Sequence, residues 1–538
     1  MFGDLKIKSR CLPKAAVGVS MMLGGLASLT IGCDNKPILG NSLAAVAPVL
    51  GPNIPADIAN PADPAQAAQF AWQEFVAVTW PAKVNPDPAS SGFFRGQPSP
   101  TQASGATGAG GVTVWETFYH RNELYPSYMT LSGNVLPDPN ATPNYNYGPR
   151  VNITAAPGAS LTLFNNADET SEITIANMYF TPLAKAADAL VKANPNPSPA
   201  VAQQILNAQI KAGIVYEAKG NPVIFNYLKG TGFNNLGLLT PQPTQRRGAM
   251  AQAVNRFNNL PVTGTDFRLP NGALEIKATW RRYDASTDNL GNFHWSKLIY
   301  YTKSASGGMV ANNDIFVLIG LHIIQKTPNV PTFTFATFEH VSNEQNGFRF
   351  INAGAQSFKP PKPPGMRLLP DPGIITAARQ YAIPGAGSAF NLVAYNSAMQ
   401  AQLRSQFGAG NVWANYQLIG VQAVVANDPG GAVPPQQFFL SNFATETNNT
   451  LQFFQGGLTG GGLVPGPNTA HVFKFNGTKY VPYTAGGCLG CHGSQGQFPG
   501  GDFSVIAANG NRFMPEAVTP YPGGPVFAQN PTGFPLPH

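Results

Sequence analysis

The feature that most constrains this chain is the stretch Cys488-Leu489-Gly490-Cys491-His492. Two thiols separated by two residues can both reach one edge of a porphyrin, and Gly490 eases the backbone between them. The histidine that follows is then placed beneath the iron, where a proximal ligand stands. The spacing therefore predicts one covalently attached haem c, held by Cys488 and Cys491, with His492 as an iron ligand.

A Cys-x-x-Cys pair also occurs in zinc sites and in redox dithiols. A zinc site needs two more ligands, yet the other two cysteines, Cys11 and Cys33, lie at the extreme N-terminus. A thioredoxin-like dithiol opens a helix within an α/β pattern, whereas this motif follows a glycine-rich stretch. These observations favour haem attachment, and with two of the four cysteines on the haem no intramolecular disulfide framework remains.

The motif resembles the haem site of the cytochrome c superfamily, and this likeness covers only the C-terminal part of the chain. It implies a small, mostly α-helical haem segment with a second axial ligand on the other face of the iron. Met514 is the candidate thioether in this segment, and a methionine ligand would raise the haem potential. Met514 follows His492 more closely than the ligand loop of the family does, so core packing is its alternative role.

The other histidines compete with Met514 for the second axial position, and an open iron is a further alternative. Each of them is more typical of a hydrogen-bonded structural histidine, or of a solvated one at the chain end. They are His120, His294, His322, His340, His471 and His538.

His322 and His340 lie on neighbouring predicted strands, with Glu339 beside His340. A hairpin that turns at residues 328–331 pairs His340 with Ile319, three residues from His322. That odd offset puts the two imidazoles on opposite faces, about 10 Å apart along the strand. We therefore expect these two histidines not to share a metal ion.

The N-terminus has the pattern of an export signal. Four basic residues within residues 6–14 precede an apolar run, 15–31, that is too short for a confident membrane span. Residues 29–33 are similar to a bacterial lipobox, with Thr30 where leucine is usual. The pattern predicts export to the periplasm or cell envelope, with lipidation of Cys33 as a membrane attachment. The alternative is a soluble periplasmic protein cleaved nearby.

The 538 residues are enough for more than one domain. We predict an α+β protein with a large N-terminal domain, built from an antiparallel β-sheet and flanking helices, and a small cytochrome c-like haem segment. The predicted boundaries are a signal peptide with lipobox at 1–33, a proline- and alanine-rich linker at 34–62, the large domain at 63–435 and the haem domain at 436–538.

Local patterns in the sequence predict the individual helices and strands. Asp63 followed by Pro64 is a good helix start, and the apolar residues after it recur at helical spacing. Further helices are predicted at 182–193, 199–211, 391–406 and 441–455. Period-two alternation or β-branched runs predict strands at 214–217, 223–227, 274–283, 293–303, 315–325, 332–341 and 416–425.

The strand at 274–283 separates two kinds of side chain. Leu274, Ile276, Ala278 and Trp280 share one face, and Glu275, Lys277, Thr279 and Arg281 share the other. This alternation indicates a half-buried antiparallel sheet. Most such polar faces are solvated or covered by a loop, and a minority bind a ligand.

A broader resemblance spans most of the chain and includes the haem motif. It links this sequence to a group of exported bacterial proteins described as cytochrome c family proteins, and it implies no substrate. The segments that carry it are residues 72–77, 275–281, 320–322, 326–328, 337–340 and 488–493.

Three functions are compatible with these patterns. The first is electron transfer in the cell envelope by an exported c-type cytochrome with a redox partner protein. The second is a haem-dependent oxidoreductase of peroxidase or oxygenase type, in which the large domain forms the substrate pocket. Its acid–base groups would be Glu275, His322, Glu339 or His340. The third is a ligand-binding or sensor module.

Nucleic acid is not an expected partner, because the net charge is only +7 and no basic stripe interleaved with aromatics is present.

Overall fold

The computed structural model describes the central part of the chain and isolated pieces of its C-terminal part. The described residues are 48–125, 138–145, 147, 151–170, 189–190, 193–194, 198, 200–201, 204, 213–231, 268–343, 383–388, 390–423, 442, 445, 472–475, 480–483, 488, 504, 506 and 515–518.

The first helix, α1 (Pro64–Val78), begins where the sequence predicts. The Asp63 carboxylate accepts a hydrogen bond from the Ala65 amide, and Pro64 occupies the first turn. Both features satisfy or remove amides that have no partner within the helix. Most of the helix is buried, including Trp72 and Phe75. The predicted core helix is therefore confirmed.

One mixed sheet organises the described region. Its strands run in the order β11-β10-β9-β7-β6-β3, and β4, β5 and β8 pair beside this path. The strands are β1 (Ala82–Val84), β2 (Phe93–Pro98), β3 (Tyr119–His120), β4 (Ile153–Ala155), β5 (Asn166–Ala167), β6 (Ile214–Gly220), β7 (Leu274–Arg282), β8 (Trp295–Lys303), β9 (Met309–Gln325), β10 (Thr334–His340), β11 (Tyr416–Gln422), β12 (Val472–Phe475) and β13 (Tyr480–Tyr483). Strands β1 with β2, and β12 with β13, form separate two-stranded sheets.

Strand β9 is central to this sheet because it is much longer than its neighbours and pairs with several of them. Its first half pairs with β8, and its second half lies between β7 and β10. All of these pairings are antiparallel, whereas the short strands β4 and β5 add parallel pairs at the margin. The α+β class is confirmed for the described residues, and the sheet is mixed rather than purely antiparallel.

Helices cover one side of the sheet, which we call the apolar face and define by Ile276, Ala278, Trp280, Leu321, Ile323, Ala336 and Phe338. On this face the Trp72 indole of α1 donates a hydrogen bond to Asn396 in the helix α4 (Leu392–Phe407). The Asn396 amide in turn donates to the Leu418 carbonyl of β11. Phe75 stacks on Phe338 with 4.2 Å between ring centroids. The main core lies here.

The segment at 223–227 is a helix, so its prediction as a strand is wrong. The helix, α3 (Pro222–Thr231), begins after Asn221, whose side-chain oxygen accepts from the Ile224 amide. Asparagine before proline is a helix-start pattern. The run of β-branched and aromatic residues at 223–227 is typical of a strand and outweighed that pattern in the prediction. The short helix α2 (Arg121–Leu124) also begins at a capping side chain, that of His120.

Several sequence predictions fall on other parts of the chain. The helices at 182–193, 199–211 and 441–455 lie wholly or mostly outside the described residues, as does the boundary at 435. Part of the predicted linker is described, and in it Leu50 and Ile58 are buried in the main core. Among the described residues, no helix combines the length and apolar character needed to cross a bilayer.

Candidate functional site

The opposite side of the sheet is polar and yet buried. We call it the polar face and define it by Glu275, Lys277, Thr279, His322, Thr337, Glu339 and Gln422, which register places on one side of β7, β9, β10 and β11. His322 lies directly between Lys277 and Thr337. Only 2% of Glu275, 8% of His322 and none of Glu339 is exposed. A sheet surface of this kind must have a matched cover, because burying unpaired polar groups is unfavourable.

Part of that cover comes from the C-terminal part of the chain. The Asn442 amide donates to the Thr337 hydroxyl and to the Phe338 carbonyl, both at 2.9 Å. The Thr445 and Thr279 hydroxyls lie 2.7 Å apart. Residues that precede the Cys-x-x-Cys-His motif therefore bind the polar face through side-chain hydrogen bonds. The predicted polar surface is thus a contact surface within the chain.

Cys488, the first cysteine of the motif, is partly buried at one end of the same face. It packs with Val223 and Tyr227 of α3 against an apolar cluster. We call this the α3 cluster; its buried members are Tyr119, Leu124, Tyr125, Ala218, Ile224, Phe225, Leu228, Leu269, Ala273, Ile324, Phe335 and Ile506. Ile506 belongs to the sequence after the Cys-x-x-Cys-His motif, so residues on both sides of this motif contact the α3 cluster or the polar face.

The α3 cluster and the polar face are continuous. Ile324 lies opposite Glu275 on one side and Phe335 on the other, and His322 is two residues away on the same strand. Because residues i and i+2 of a strand point to the same side, Ile324 and His322 share a face. The aliphatic and aromatic cluster against which Cys488 packs is therefore continuous with the polar face.

A buried ionic network borders the polar face. Lys277 lies 3.7 Å from Glu169, which pairs with Arg121, and Arg121 lies 2.8 Å from Asp168. The His120 imidazole is 3.2 Å from the same Asp168 carboxylate. Burial alone would raise the pKa of Asp168, but Arg121 and His120 beside it lower that pKa to about 2. Asp168 therefore carries its charge at neutral pH and balances Arg121.

The chain that follows Met514 joins this network. The Glu516 amide donates to the Asp168 carbonyl at 2.9 Å, and the Glu516 carboxylate accepts from the Thr170 amide at 2.7 Å. The Val518 amide donates to the Tyr301 carbonyl of β8 at 2.8 Å. The C-terminal part of the chain thus contacts the central sheet or its surroundings at residues 442, 445, 488, 506 and 516–518.

His340 is on the other side of the sheet from His322. Glu339 pairs with Gly320 and Thr337 with His322, so the predicted register is confirmed, and His340 alternates to the apolar face. Its Nδ1 lies 2.7 Å from the Ser342 hydroxyl, and its Nε2 lies 2.9 Å from the Asn292 carbonyl. Burial is the main reason that the pKa of His340 falls to about 4. His340 is a neutral structural histidine at pH 7.

Two further histidines also have defined partners. The His294 Nε2 lies 3.1 Å from Glu116, and both side chains are buried. Burial would raise the pKa of Glu116, but His294 and other hydrogen-bond donors lower it to about 2. The His120 Nδ1 accepts from the Asn122 amide as a helix cap while its Nε2 faces Asp168. Both imidazoles therefore stabilise the fold of the described region.

Of the predicted site residues, Cys488 is described, whereas Cys491, His492 and Met514 lie outside the described residues. Three of the four predicted acid–base candidates, Glu275, His322 and Glu339, share the polar face; the fourth, His340, does not. Across the part of the chain that is described, no three His, Cys, Asp or Glu side chains converge as a metal site.

No sequence pattern predicts the Arg121–Asp168 network. Its members come from two short stretches that show neither periodicity nor a motif, and tertiary pairing alone brings them together. Comparison with known proteins finds no matching family model and no significant similarity to a curated protein or to a solved structure.

Proposed function

We propose that this protein is an exported c-type cytochrome that carries one covalent haem and transfers electrons to a redox partner protein in the cell envelope. The observation that carries the proposal is the Cys488-Leu489-Gly490-Cys491-His492 motif. The packing of Cys488 against the α3 cluster supports it, because a porphyrin edge needs an apolar wall. When bound, the haem supplies one-electron redox chemistry at its iron.

Each part of the chain has a role in this proposal. The thiols of Cys488 and Cys491 hold the porphyrin edge, and His492 binds the iron. The α3 cluster keeps water from one side of the macrocycle, which affects its potential through local polarity. The export signal and Cys33 direct the protein to the periplasm or to the membrane surface, and haem is attached to such proteins in bacteria after export.

The test removes both thiols in the full chain. We expect Cys488→Ala/Cys491→Ala protein to carry no haem that survives denaturing electrophoresis, and its host to lose an envelope electron-transfer activity. Cys33→Ser is the matched control. It also removes a cysteine, but it should keep the haem and change only membrane attachment. Covalent haem in the double variant, or unchanged envelope redox activity, would contradict the proposal.

A second candidate is a haem oxidoreductase. Its specific support is the presence of Glu275, His322 and Glu339 on one buried face that continues into the cluster around Cys488. Carboxylates and an imidazole at an open iron could move protons during peroxide chemistry. This candidate requires rapid binding of carbon monoxide to the reduced iron and turnover with peroxide. An iron that is closed on both faces in both oxidation states would exclude it.

A further inference from the structure

We propose that Tyr147 is a redox-active tyrosine, which loses one electron to a strong one-electron oxidant while its phenolic proton moves to the Asp168 carboxylate. The products are a neutral phenoxyl radical at Tyr147, a carboxylic acid at Asp168 and an oxidant reduced by one electron. The oxidant is an outer-sphere electron acceptor, such as a high-potential metal complex, and it takes no atom from the site. The inference goes beyond the proposed function, because it requires no haem and rests on described residues alone.

The first argument is the base that accepts the phenolic proton. The Tyr147 hydroxyl donates a hydrogen bond to the Asp168 carboxylate at 2.7 Å. Burial, and then the charge of Asp168, raise the pKa of Tyr147 well above its usual range, so the phenol keeps its proton at neutral pH. Loss of an electron makes a phenol strongly acidic, whereas Asp168 is ionised and can accept. The proton therefore moves along a hydrogen bond that already exists.

The second argument is the stabilisation of the products. The Asn166 side-chain amide donates to the Tyr147 oxygen at 2.8 Å, so the phenoxyl oxygen keeps a donor besides the transferred proton. Oxidation adds one unit of positive charge to the site, beside the cationic Arg121. The Glu169 carboxylate, which pairs with Arg121, offsets that charge. The network that surrounds Asp168 is thus suited to the oxidised state as well as to the reduced one.

The third argument is protection from water. Only 5% of Tyr147 and none of Asp168 is exposed, so water and dissolved reductants reach the phenoxyl oxygen slowly. The Tyr301 ring lies edge-on to that of Tyr147, with 5.9 Å between ring centroids. The Tyr301 hydroxyl donates to the Asn166 amide oxygen at 3.0 Å. An amide is a poorer base than a carboxylate, so the radical stays on Tyr147.

Other described tyrosines differ in the group that accepts their hydroxyl proton. Tyr119, Tyr145 and Tyr416 donate to backbone carbonyls, which are too weakly basic to hold a proton. Tyr300 donates to the Asp314 carboxylate at 2.9 Å, but 44% of the Asp314 side chain is exposed. A radical beside a solvated carboxylate loses its proton and its protection to water. Tyr300→Phe is therefore a matched control, because it removes a tyrosine–carboxylate pair that differs in burial.

The experiment uses the full-length protein, treated first with ferricyanide so that any haem iron is already oxidised. A light flash generates a ruthenium(III) tris-bipyridine complex as the oxidant, and electron paramagnetic resonance of frozen samples detects organic radicals. We expect a tyrosyl radical in the wild-type protein, its loss in Tyr147→Phe and an unchanged signal in Tyr300→Phe. In deuterium oxide the wild-type radical should form more slowly and couple to an exchangeable deuteron, the one passed to Asp168.

Asp168→Asn tests the base, because an amide can still accept the hydrogen bond but cannot hold the proton. The radical yield should fall in this variant, with circular dichroism to check that its fold matches the parent. The deuterium measurement needs no substitution and decides the role of Asp168 if Asp168→Asn does not fold. The proposal is overturned if the wild-type protein forms no tyrosyl radical, if Tyr147→Phe keeps it or if Tyr300→Phe removes it. A wild-type radical that deuterium oxide does not affect also overturns it.

Discussion

The two faces of the central sheet are buried in different ways. On the apolar face, α1 and α4 supply aromatic and aliphatic contacts, with the Trp72–Asn396 hydrogen bond joining the two helices. On the polar face, Asn442 and Thr445 supply hydrogen bonds to Thr337 and Thr279. The same strands, alternating one residue at a time, thus face a packed core on one side and a hydrogen-bonded contact on the other.

The two faces of the sheet differ in how strictly they restrict the segments that can cover them. Apolar burial is non-directional and roughly proportional to area, so any helix with an apolar stripe could cover the first face. A polar face is stable when buried only if donors and acceptors match, because an unmade hydrogen bond costs more than a made one contributes. The polar face therefore requires a partner with matching donors and acceptors, and that partner includes Asn442 and Thr445.

The largest expected loss of unfolding free energy comes from a substitution on the apolar face. Trp72→Ala removes a fully buried indole that contacts Phe75 and Phe338 edge to face. We expect the free energy of unfolding to fall by about 3–5 kcal/mol, because the cavity adds to the lost transfer energy. Denaturant titration of the purified protein measures it.

Val393→Ala is the control for that change. Val393 lies on α4, which also packs on this face, but 47% of it is exposed. Its loss should change the unfolding free energy by no more than about 0.5 kcal/mol. If the two variants had equal effects, α1 and α4 would not stabilise the sheet through the buried contacts described above.

The next effect depends on pH and concerns His340. Its pKa is about 4 in the folded protein and 6.5 when unperturbed, so the unfolded chain binds more protons between these values. Stability should therefore be constant above about pH 6.5 and fall as the pH drops towards 4, by on the order of 3 kcal/mol. His340→Gln should abolish most of this slope in denaturant titrations. An unchanged slope would show that another group titrates there.

The smallest expected change in unfolding free energy comes from a substitution on the polar face. Thr279→Val leaves the buried Thr445 hydroxyl without its partner and should lower the unfolding free energy by about 1 kcal/mol. Hydrogen exchange should rise at residues near 445, with little change on the apolar face.

The double variant Thr279→Val/Thr445→Val makes the comparison sharper. Removing both hydroxyls while keeping their shape should be nearly neutral relative to the parent protein. Additive losses in the two single variants would mean that the hydroxyls do not interact. The cover of the polar face would then depend on other contacts.

Local patterns predicted much of the fold. The Asp63–Pro64 start of α1, the alternation along β7 and the hairpin register that separates His322 from His340 are all present in the structure. These features depend on residues close in the chain or on a two-residue period. The error at α3 has the same origin, because a β-branched run outweighed the Asn221–Pro222 cap.

The candidate site was less predictable. The Cys-x-x-Cys-His motif is local, and the haem attachment that we propose for it rests on the sequence. The cover of the polar face joins Thr279 to Thr445, and the ionic network joins Arg121 to Asp168. Such pairs depend on which strands lie side by side, and no local pattern in the residues concerned specifies this.

By itself, the sequence predicted which side chains of β7 share a face, where α1 and α4 begin and which five residues are the candidate for haem attachment. Steric preferences, caps and thiol spacing act over a few residues, so they can be recognised directly in the sequence. Only the tertiary structure decided that the polar face is buried, that Cys488 packs on the α3 cluster and that His322 and His340 have different surroundings. These outcomes depend on contacts between distant segments, whose free energies are decided only when the whole chain has folded.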